Sequence, residues 1–372
     1  MLAIAALTFT SCSSDDETKT PDTTVIDPAN FKGQLLAGET ATLDANTEYN
    51  LTGSFVIRDG ATLTIPAGTV IKATGGTSAY LAVAQGGKIF VNGTATNPVV
   101  MTSAKANPAA GDWGGVVICG RANTNKGGAT GQTATAEVSD LTYGGTVAND
   151  NSGSITYLRI EYTGAAFTNE KEFNGLSLFG VGSGTKIEYV QSFEGGDDGI
   201  EFFGGTVNGK YLISTGSQDD SIDFADGWAG TGEFWYIEGV AKAGIEGSNN
   251  GDNGAALPTT TATLKNISIV KGDGAGSEGG LFIKEGGGKW TADNVYVSGF
   301  ATGINIKDAA GDPVANAHVA SGDIKFTNIQ FVGVTANTNY VGSVTGFITT
   351  GTGTGAGNGA AVPTWAAGWT RF

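Results

Sequence analysis

A short sequence pattern recurs along the second half of the chain at nearly constant spacing. Each copy has a small residue, an aliphatic residue, a variable residue and usually another apolar residue, as in DGIEFFG and DSIDFAD. Successive copies are separated by 24, 22, 23, 36 and 23 positions, measured between the small residues Gly175, Gly199, Ser221, Gly244, Gly280 and Gly303. The long interval contains the polar segment 248–262, which we interpret as a loop. A repeat of this length indicates a chain built from stacked copies of one unit.

The segments between these copies carry a strand signal. A second apolar run follows each copy, as in KIEYVQS, FWYIEG and ADNVYVSG, and apolar and polar residues alternate within the runs. Alternation with a period of two is typical of β-strands rather than helices. Glycine accounts for 61 of 372 residues, about twice its usual share, and it suits tight turns. We therefore expect turns, and no helices, between the strands. The sequence therefore predicts an all-β solenoid with rungs of about 22–24 residues, each packed against its neighbours.

The solenoid is predicted over residues 31–342, with a less regular first part and a polar excursion at 124–153. Residues 343–372 are rich in glycine and threonine and contain the aromatic residues Trp365, Trp369 and Phe372. Because a solenoid needs both ends covered, we expect these aromatic side chains to cap the last rung.

The first thirty residues are predicted to target and tether the protein. The apolar run MLAIAALTFTSC resembles a bacterial lipoprotein signal over residues 1–12, with Cys12 as the acylated residue. Residues 13–30 would form a flexible acidic and threonine-rich tether. Within them, SSDDE resembles the export tag of surface lipoproteins in Bacteroidota. No other stretch of sequence is apolar over the length of a membrane span.

Several segments carry a family resemblance. The repeat length, GDWGG, YLRIEYTG, NGLSLFGVGSGTKIEYVQ and FFGGTVNGKYLIS are similar to those of Bacteroidota surface lipoproteins with a right-handed parallel β-helix of pectate-lyase-like architecture, over about residues 51–334. The resemblance implies a right-handed helix and a lipid-anchored protein of the outer membrane, at the cell surface. It leaves function open, because this architecture serves lyases, hydrolases, adhesins and binding proteins alike.

Acidic residues recur in register with the repeat. In two consecutive copies a pair of aspartates precedes the small residue: Asp197 with Asp198, and Asp219 with Asp220. In three copies an acid stands two positions after the small residue: Glu201, Asp223 and Glu246. Alternation along a strand places the second set opposite the apolar side chains, so that we expect it to face solvent. Parallel rungs lie about 4.8 Å apart, which would stack these acids in columns.

Stacked like charges repel, and three explanations remain open. Water and salt could screen an exposed column. A hard cation such as Ca²⁺ could bridge the carboxylates, with Asp197, Asp198, Asp219 and Asp220 as candidate ligands. One carboxyl group could instead have a raised pKa and act as an acid in glycoside hydrolysis. Core packing is the favoured interpretation for each aromatic residue near the acids. Trp228, in a glycine-rich turn, is the best candidate for an exposed ring that stacks on a sugar, with Glu201, Asp223 and Glu246 as further ligand-binding candidates.

Other chemistries find little support. A net charge of −16 disfavours nucleic acid as a partner. His318, the only histidine, is expected in a surface loop far from the acids, and no CxxC or HExxH motif indicates zinc. Polygalacturonases resemble this chain in their paired aspartates but also need a histidine and an Arg-x-Lys motif, which are not found near them. Calcium-dependent pectate lyases need an Arg or Lys base beside the metal carboxylates, and Lys210 and Arg159 are the nearest candidates for it. The catalytic candidates are therefore Asp198 and Asp220 with Lys210.

The sequence thus favours a cell-surface lipoprotein that binds an extracellular polysaccharide or similar ligand on an acidic, calcium-binding face, without catalysis. A calcium-dependent polysaccharide lyase or a glycoside hydrolase is the first alternative, and a structural stalk or adhesin is the second. Whether outer-membrane proteins are further partners stays open.

Overall fold

A computed structural model describes residues 22–127, 132–168, 171–307 and 311–372. In this part of the chain 29 β-strands and one α-helix are found. They are β1 (Asp22–Thr23), β2 (Phe31–Leu35), β3 (Glu39–Thr42), β4 (Glu48–Ile57), β5 (Thr62–Pro66), β6 (Val70–Ala73), β7 (Leu81–Val83), β8 (Lys88–Asn92), β9 (Val99–Ser103), β10 (Val116–Cys119), β11 (Thr133–Thr135), β12 (Thr142–Gly144), β13 (Gly153–Glu161), β14 (Ala166–Thr168), β15 (Lys171–Glu172), β16 (Leu176–Phe179), β17 (Lys186–Phe193), β18 (Ile200–Phe203), β19 (Asn208–Thr215), β20 (Ile222–Ala225), β21 (Thr231–Glu238), β22 (Ala243–Ser248), β23 (Thr261–Val270), β24 (Gly279–Lys284), β25 (Lys289–Ser298), β26 (Thr302–Ile306), α1 (Pro313–Ser321), β27 (Lys325–Val332), β28 (Ala336–Thr338) and β29 (Ile348–Thr350).

Twenty-five of these strands form one continuous sheet that coils into a solenoid. Each strand pairs in parallel with its equivalent in the next rung, as β16 does with β18 and β18 with β20. The fold is a right-handed parallel β-helix, as predicted. Its interior is filled by stacked apolar side chains, and one inward column contains Leu176, Ile200, Ile222, Ile245 and Leu281.

One corner of the solenoid is made by a single residue per rung in the left-handed conformation. Asn266, Asn294 and Asn328 occupy this corner with φ between 50° and 60°, a region that asparagine tolerates well. In earlier rungs the corner residue is aromatic: Tyr157, Tyr189, Tyr211 and Phe234. Their rings stack with centroids 4.2, 4.4 and 5.1 Å apart, and this stacking offsets the backbone strain.

The C-terminal segment lies along this aromatic corner. Trp369 packs edge-on against Tyr157 and Tyr189, and Trp365 packs against Tyr211. The prediction that these tryptophans cap the last rung is therefore wrong. They pack instead on a stack of aromatic rings in the middle of the solenoid, which offers them a large apolar surface.

The polar excursion forms a cover on the outside of the sheet. The antiparallel hairpin of β11 and β12 packs Val138, Leu141 and Tyr143 against an outer apolar patch that includes Cys119 and Phe179. Cys119 is buried there, and burial raises the pKa of its thiol to about 12. A second antiparallel hairpin, β14 and β15, lies nearby in sequence.

Two sequence-based expectations about the edges of the fold need correction. His318 lies in α1 and not in a loop, because Asp312 caps the helix by accepting hydrogen bonds from the amides of Val314 and Ala315. Part of the predicted tether, 22–30, is joined to the solenoid, since β1 pairs with β3. Cys12 and the predicted signal lie outside the described residues. Among the residues that are described, no helix is long and apolar enough to cross a membrane.

Trp228 is fully buried inside the solenoid, so the prediction of an exposed tryptophan is wrong. Its ring packs between Phe202 and Phe224, and its Nε1 donates a hydrogen bond to the carbonyl oxygen of Val207 at 3.0 Å. A Cβ atom on Gly230 would lie 2.7 Å from the indole ring, so this glycine leaves the space that the ring fills. The tryptophan therefore stabilises the fold and is not available to stack on a sugar.

We expect Trp228→Ala to lower the free energy of unfolding by about 3–5 kcal/mol, because it leaves a large cavity among aromatic rings. Denaturant unfolding followed by circular dichroism measures the change. Phe167→Ala is the control, since Phe167 is 47% exposed and its loss should cost far less. Equal, small losses in both variants would contradict the burial of Trp228.

Candidate functional site

A column of acidic side chains runs along the outer surface of one face of the solenoid. The parallel register places Glu201, Asp223 and Glu246 side by side on β18, β20 and β22. They point away from the core, as predicted, yet they do not face open solvent: Asp223 is 7% exposed and Glu246 only 2%. The expectation of a solvent-facing column is wrong: Asp223 and Glu246 are covered by the surrounding chain, and Glu201 is the member of the column that lines an adjacent cleft.

The cleft has a volume of about 530 Å³ and is mostly polar. Glu137, next to β11, and Glu172, in β15, contribute to it, and the remaining lining residues come from the turns before β18, β20 and β22 and from β18 and β24. The lining residues are Glu137, Glu172, Gly196, Asp197, Glu201, Phe203, Gln218, Asp219, Lys242 and Lys284.

The paired aspartates lie in the turns that precede these strands. Asp198 accepts a hydrogen bond from the backbone amide of Asp220 at 2.8 Å, and Asp220 accepts one from the amide of Ala243 at 2.6 Å. Each aspartate thus fixes the turn of the next rung, which explains in part why acids repeat at this position. Both side chains are buried.

The carboxylates form three close groups, in each of which one oxygen from every member lies within 4.8 Å of the others. We call Asp198, Glu201 and Asp223, all three of which are buried, the inner group. The rim group shares Asp198 with it and adds the half-buried Asp197 and Asp219. The distal group consists of Asp220, Glu246 and Glu278. These groups include all seven acids predicted as metal or ligand-binding residues, and Glu278 joins them.

Burial makes the inner group electrostatically costly. It raises the pKa of the carboxyl groups of Asp198, Glu201 and Asp223 well above their ordinary values, and the neighbouring carboxylates raise each pKa further. At the rim, burial and then Asp219 raise the pKa of Asp197 to about 7. A buried carboxylate is stable only when a proton, a cation or several donors compensate its charge.

One oxygen of the inner group lacks any partner. Oδ1 of Asp223 is buried and has no hydrogen bond within the described residues. Glu201, by contrast, accepts a hydrogen bond from the side-chain amide of Asn174 at 2.5 Å. Buried acceptors in folded proteins usually have a hydrogen-bond partner, so this oxygen is left able to accept a proton or to contact a cation.

The cleft is also lined by two lysines that the sequence-based candidates did not include. Lys284 on β24 lies 2.6 Å from Glu246, and Lys242 lies 2.6 Å from Asp219. Alignment of the copies could have found both. Lys242 and Glu278 stand two positions before the small residue, like Asp219, and Lys284 occupies the same outward position as Phe203.

Lys210, a catalytic candidate, does not belong to this cleft. It lies on a different face of the solenoid, where its register neighbours are Glu188 and Glu233. Its ammonium group pairs with Glu233 at 2.9 Å and lies over the ring of Tyr211. The alternation of charges along that face gives Lys210 a structural role.

The aromatic side chain that lines the cleft is Phe203. It is largely buried and stacks on Phe179 with ring centroids 4.1 Å apart. Trp228 lies inside the solenoid and contributes nothing to the cleft surface. Polar contacts therefore dominate what this site can offer to a ligand.

The structure defines a parallel β-helix protein with a buried acidic cluster at the foot of an outer cleft. The chain belongs to the family described as pectate-lyase like beta helix domain, whose family model matches residues 34–370. Comparisons with curated proteins and with solved structures gave no significant match.

Proposed function

We propose that this protein is a lipid-anchored protein of the cell surface that binds an extracellular glycan in the acidic cleft, with one Ca²⁺ held by the inner group and without catalysis. The orphaned Oδ1 of Asp223, among the carboxylates of Asp198 and Glu201, is the observation that carries the proposal.

Calcium is the cation that suits these ligands best. The inner group offers only carboxylate oxygens, which a hard cation prefers, and it contains no histidine or cysteine to favour a transition metal. A divalent ion would compensate the charges whose burial raises the carboxyl pKa values. It would also supply the missing partner of Asp223.

The glycan part of the proposal rests on the shape and polarity of the cleft. A volume of about 530 Å³ falls in the range of small-molecule sites and would hold one or two sugar units. Carboxylate and amide groups at the rim, such as Asp197 and Gln218, can bond to hydroxyl groups. A cation at the foot of the cleft would leave coordination positions for oxygens of the ligand.

Titration of the full chain with CaCl₂ by calorimetry tests this function. We expect binding to the wild type and a loss of about 10–100-fold or more in affinity for Asp223→Asn and Glu201→Gln, since each removes a charged ligand. Glu188→Gln is the matched control, because it removes the same charge on another face.

A glycan panel tests the ligand. The protein should bind a glycan of the panel in the presence of CaCl₂ and should not bind it when a chelator removes the calcium.

Absence of calcium binding to the wild type would refute the metal part of the proposal. An equal loss in Glu188→Gln would mean that overall charge, and not the inner group, attracts the ion. Calcium binding with no glycan bound from a broad panel would favour the stalk or adhesin.

A polysaccharide lyase or glycoside hydrolase is the second candidate, since lysines and carboxyl groups with raised pKa share one cleft. A lyase needs a neutral base, however. Burial opposes the charge of Lys284, but the Glu246 and Asp223 carboxylates outweigh it and raise the pKa of this lysine, so that it stays protonated. This argues against a lyase, and the lack of a histidine and an Arg-x-Lys motif near the paired aspartates disfavours a hydrolase of the polygalacturonase type, so that we prefer binding without catalysis.

Incubation with neutral and acidic polysaccharides discriminates the two candidates. We expect neither unsaturated products nor new reducing ends. If either forms, Asp198→Asn, Asp220→Asn and Lys284→Met should each abolish it, whereas Lys210→Ala should not, because Lys210 lies on another face. Such activity would replace the non-catalytic proposal by the enzymatic one.

Attachment to the membrane is proposed through Cys12. Metabolic labelling with palmitate in a bacterium that processes lipoproteins should label the wild type and Cys119→Ala, whose cysteine is buried, but not Cys12→Ala. Antibody binding to intact cells should place the labelled protein at the surface. Label that persists in Cys12→Ala, or is missing from the wild type, would contradict this anchor.

A further inference from the structure

The distal group, unlike the inner group, has one member in a direct ion pair with a lysine. The Lys284 ammonium lies 2.6 Å from Oε1 of Glu246, whose side chain is only 3% exposed. Glu246 shares the distal group with Asp220 and Glu278. The inner group, by contrast, has the neutral amide of Asn174 and the backbone amide of Asp220 as its donors among the described hydrogen bonds.

The fold holds Lys284 in this position. It lies on β24, one rung beyond Glu246, and its register partner is Ser248. The residue beside Glu246 in the acidic column is Phe282, so the column of acids ends there. The rung of β24 is thus the first after β18, β20 and β22 that has no acid at this position, and Lys284 reaches back from it toward Glu246. The side chain of Lys284 is 26% exposed.

We infer that the Lys284 ammonium occupies the place of a second cation, so that the cleft takes one divalent ion, at the inner group, and Lys284 sets this stoichiometry. The inference rests on the proposed binding of Ca²⁺ by the inner group. A divalent ion in the distal group would lie beside the ammonium in a buried setting, where like charges repel strongly. Lys284 would then neutralise charge in the distal group, and one Ca²⁺ would neutralise charge in the inner group.

Replacing the lysine tests the inference by counting ions. The full chain is titrated with CaCl₂ by calorimetry, and bound ions are counted by native mass spectrometry. We expect one Ca²⁺ per chain in the wild type and in Lys284→Arg, and two in Lys284→Met, because Glu246 then loses its ion-pair partner within a group of three carboxylates. The double variant Lys284→Met with Glu246→Gln should return to one.

Lys242→Met is the matched control. Lys242 also pairs with an acid of the cleft, but its side chain is 47% exposed and its partner Asp219 belongs to the rim group. We expect this variant to keep one Ca²⁺ per chain, so that a second ion in Lys284→Met cannot be attributed to the loss of any lysine.

The outcomes separate this inference from the proposed function. No Ca²⁺ in the wild type overturns both. One Ca²⁺ in the wild type and still one in Lys284→Met overturns the inference alone, as do two in the wild type. If Lys284→Met folds only when CaCl₂ is present, the ions in its folded form are counted, and two support the inference whereas one overturns it.

Discussion

Parallel hydrogen bonding between rungs holds equivalent residues of successive rungs in straight columns, and the rest of the structure depends on this register. It stacks aliphatic side chains inside the solenoid, where each fully buried one contributes about 1.5–3 kcal/mol. The same register stacks whatever the sequence places outside. Rungs about 4.8 Å apart leave an acidic column no freedom to spread its charges.

The protein compensates these charges in different ways along the column. Backbone amides of the next rung bind Asp198 and Asp220, and lysines neutralise Asp219 and Glu246. Around Asp223 the compensation is incomplete. A parallel β-helix tolerates such a local deficit because its stability comes from the many other contacts between rungs.

The features set by the repeat could be predicted from sequence. Glycine spacing and alternation gave the solenoid, the rung length and the outward direction of Glu201, Asp223 and Glu246. Burial of these acids could not be predicted, because the covering hairpins come from a segment that does not repeat. Lys210 is close in sequence to the paired aspartates, whereas closeness in space within a solenoid is set by the position within the rung. By that criterion Lys284 was detectable, although a 36-residue interval separates its copy from the previous one.

Trp228 and the C-terminal tryptophans show a different limit. Whether a turn residue points inward depends on the space left by its neighbours, which Gly230 provides and the local pattern does not reveal. Likewise, the corner position has no period-two signal, because one left-handed residue interrupts each strand. The aromatic stack at this corner arises because the register aligns the corner residues of successive rungs in space.

The C-terminal segment also changes how the solenoid can come apart. In a simple repeat protein each rung contacts its neighbours alone, so terminal rungs can fray one after another. Here the chain leaves the last rung and returns to the middle, where Arg371 donates its backbone amide to Gln191 and Arg159 donates to the carbonyl oxygen of Trp369. Unwinding of the C-terminal rungs is thus coupled to release of this returning segment from the central rungs. The segment makes a linear array behave more like a closed, cooperative unit.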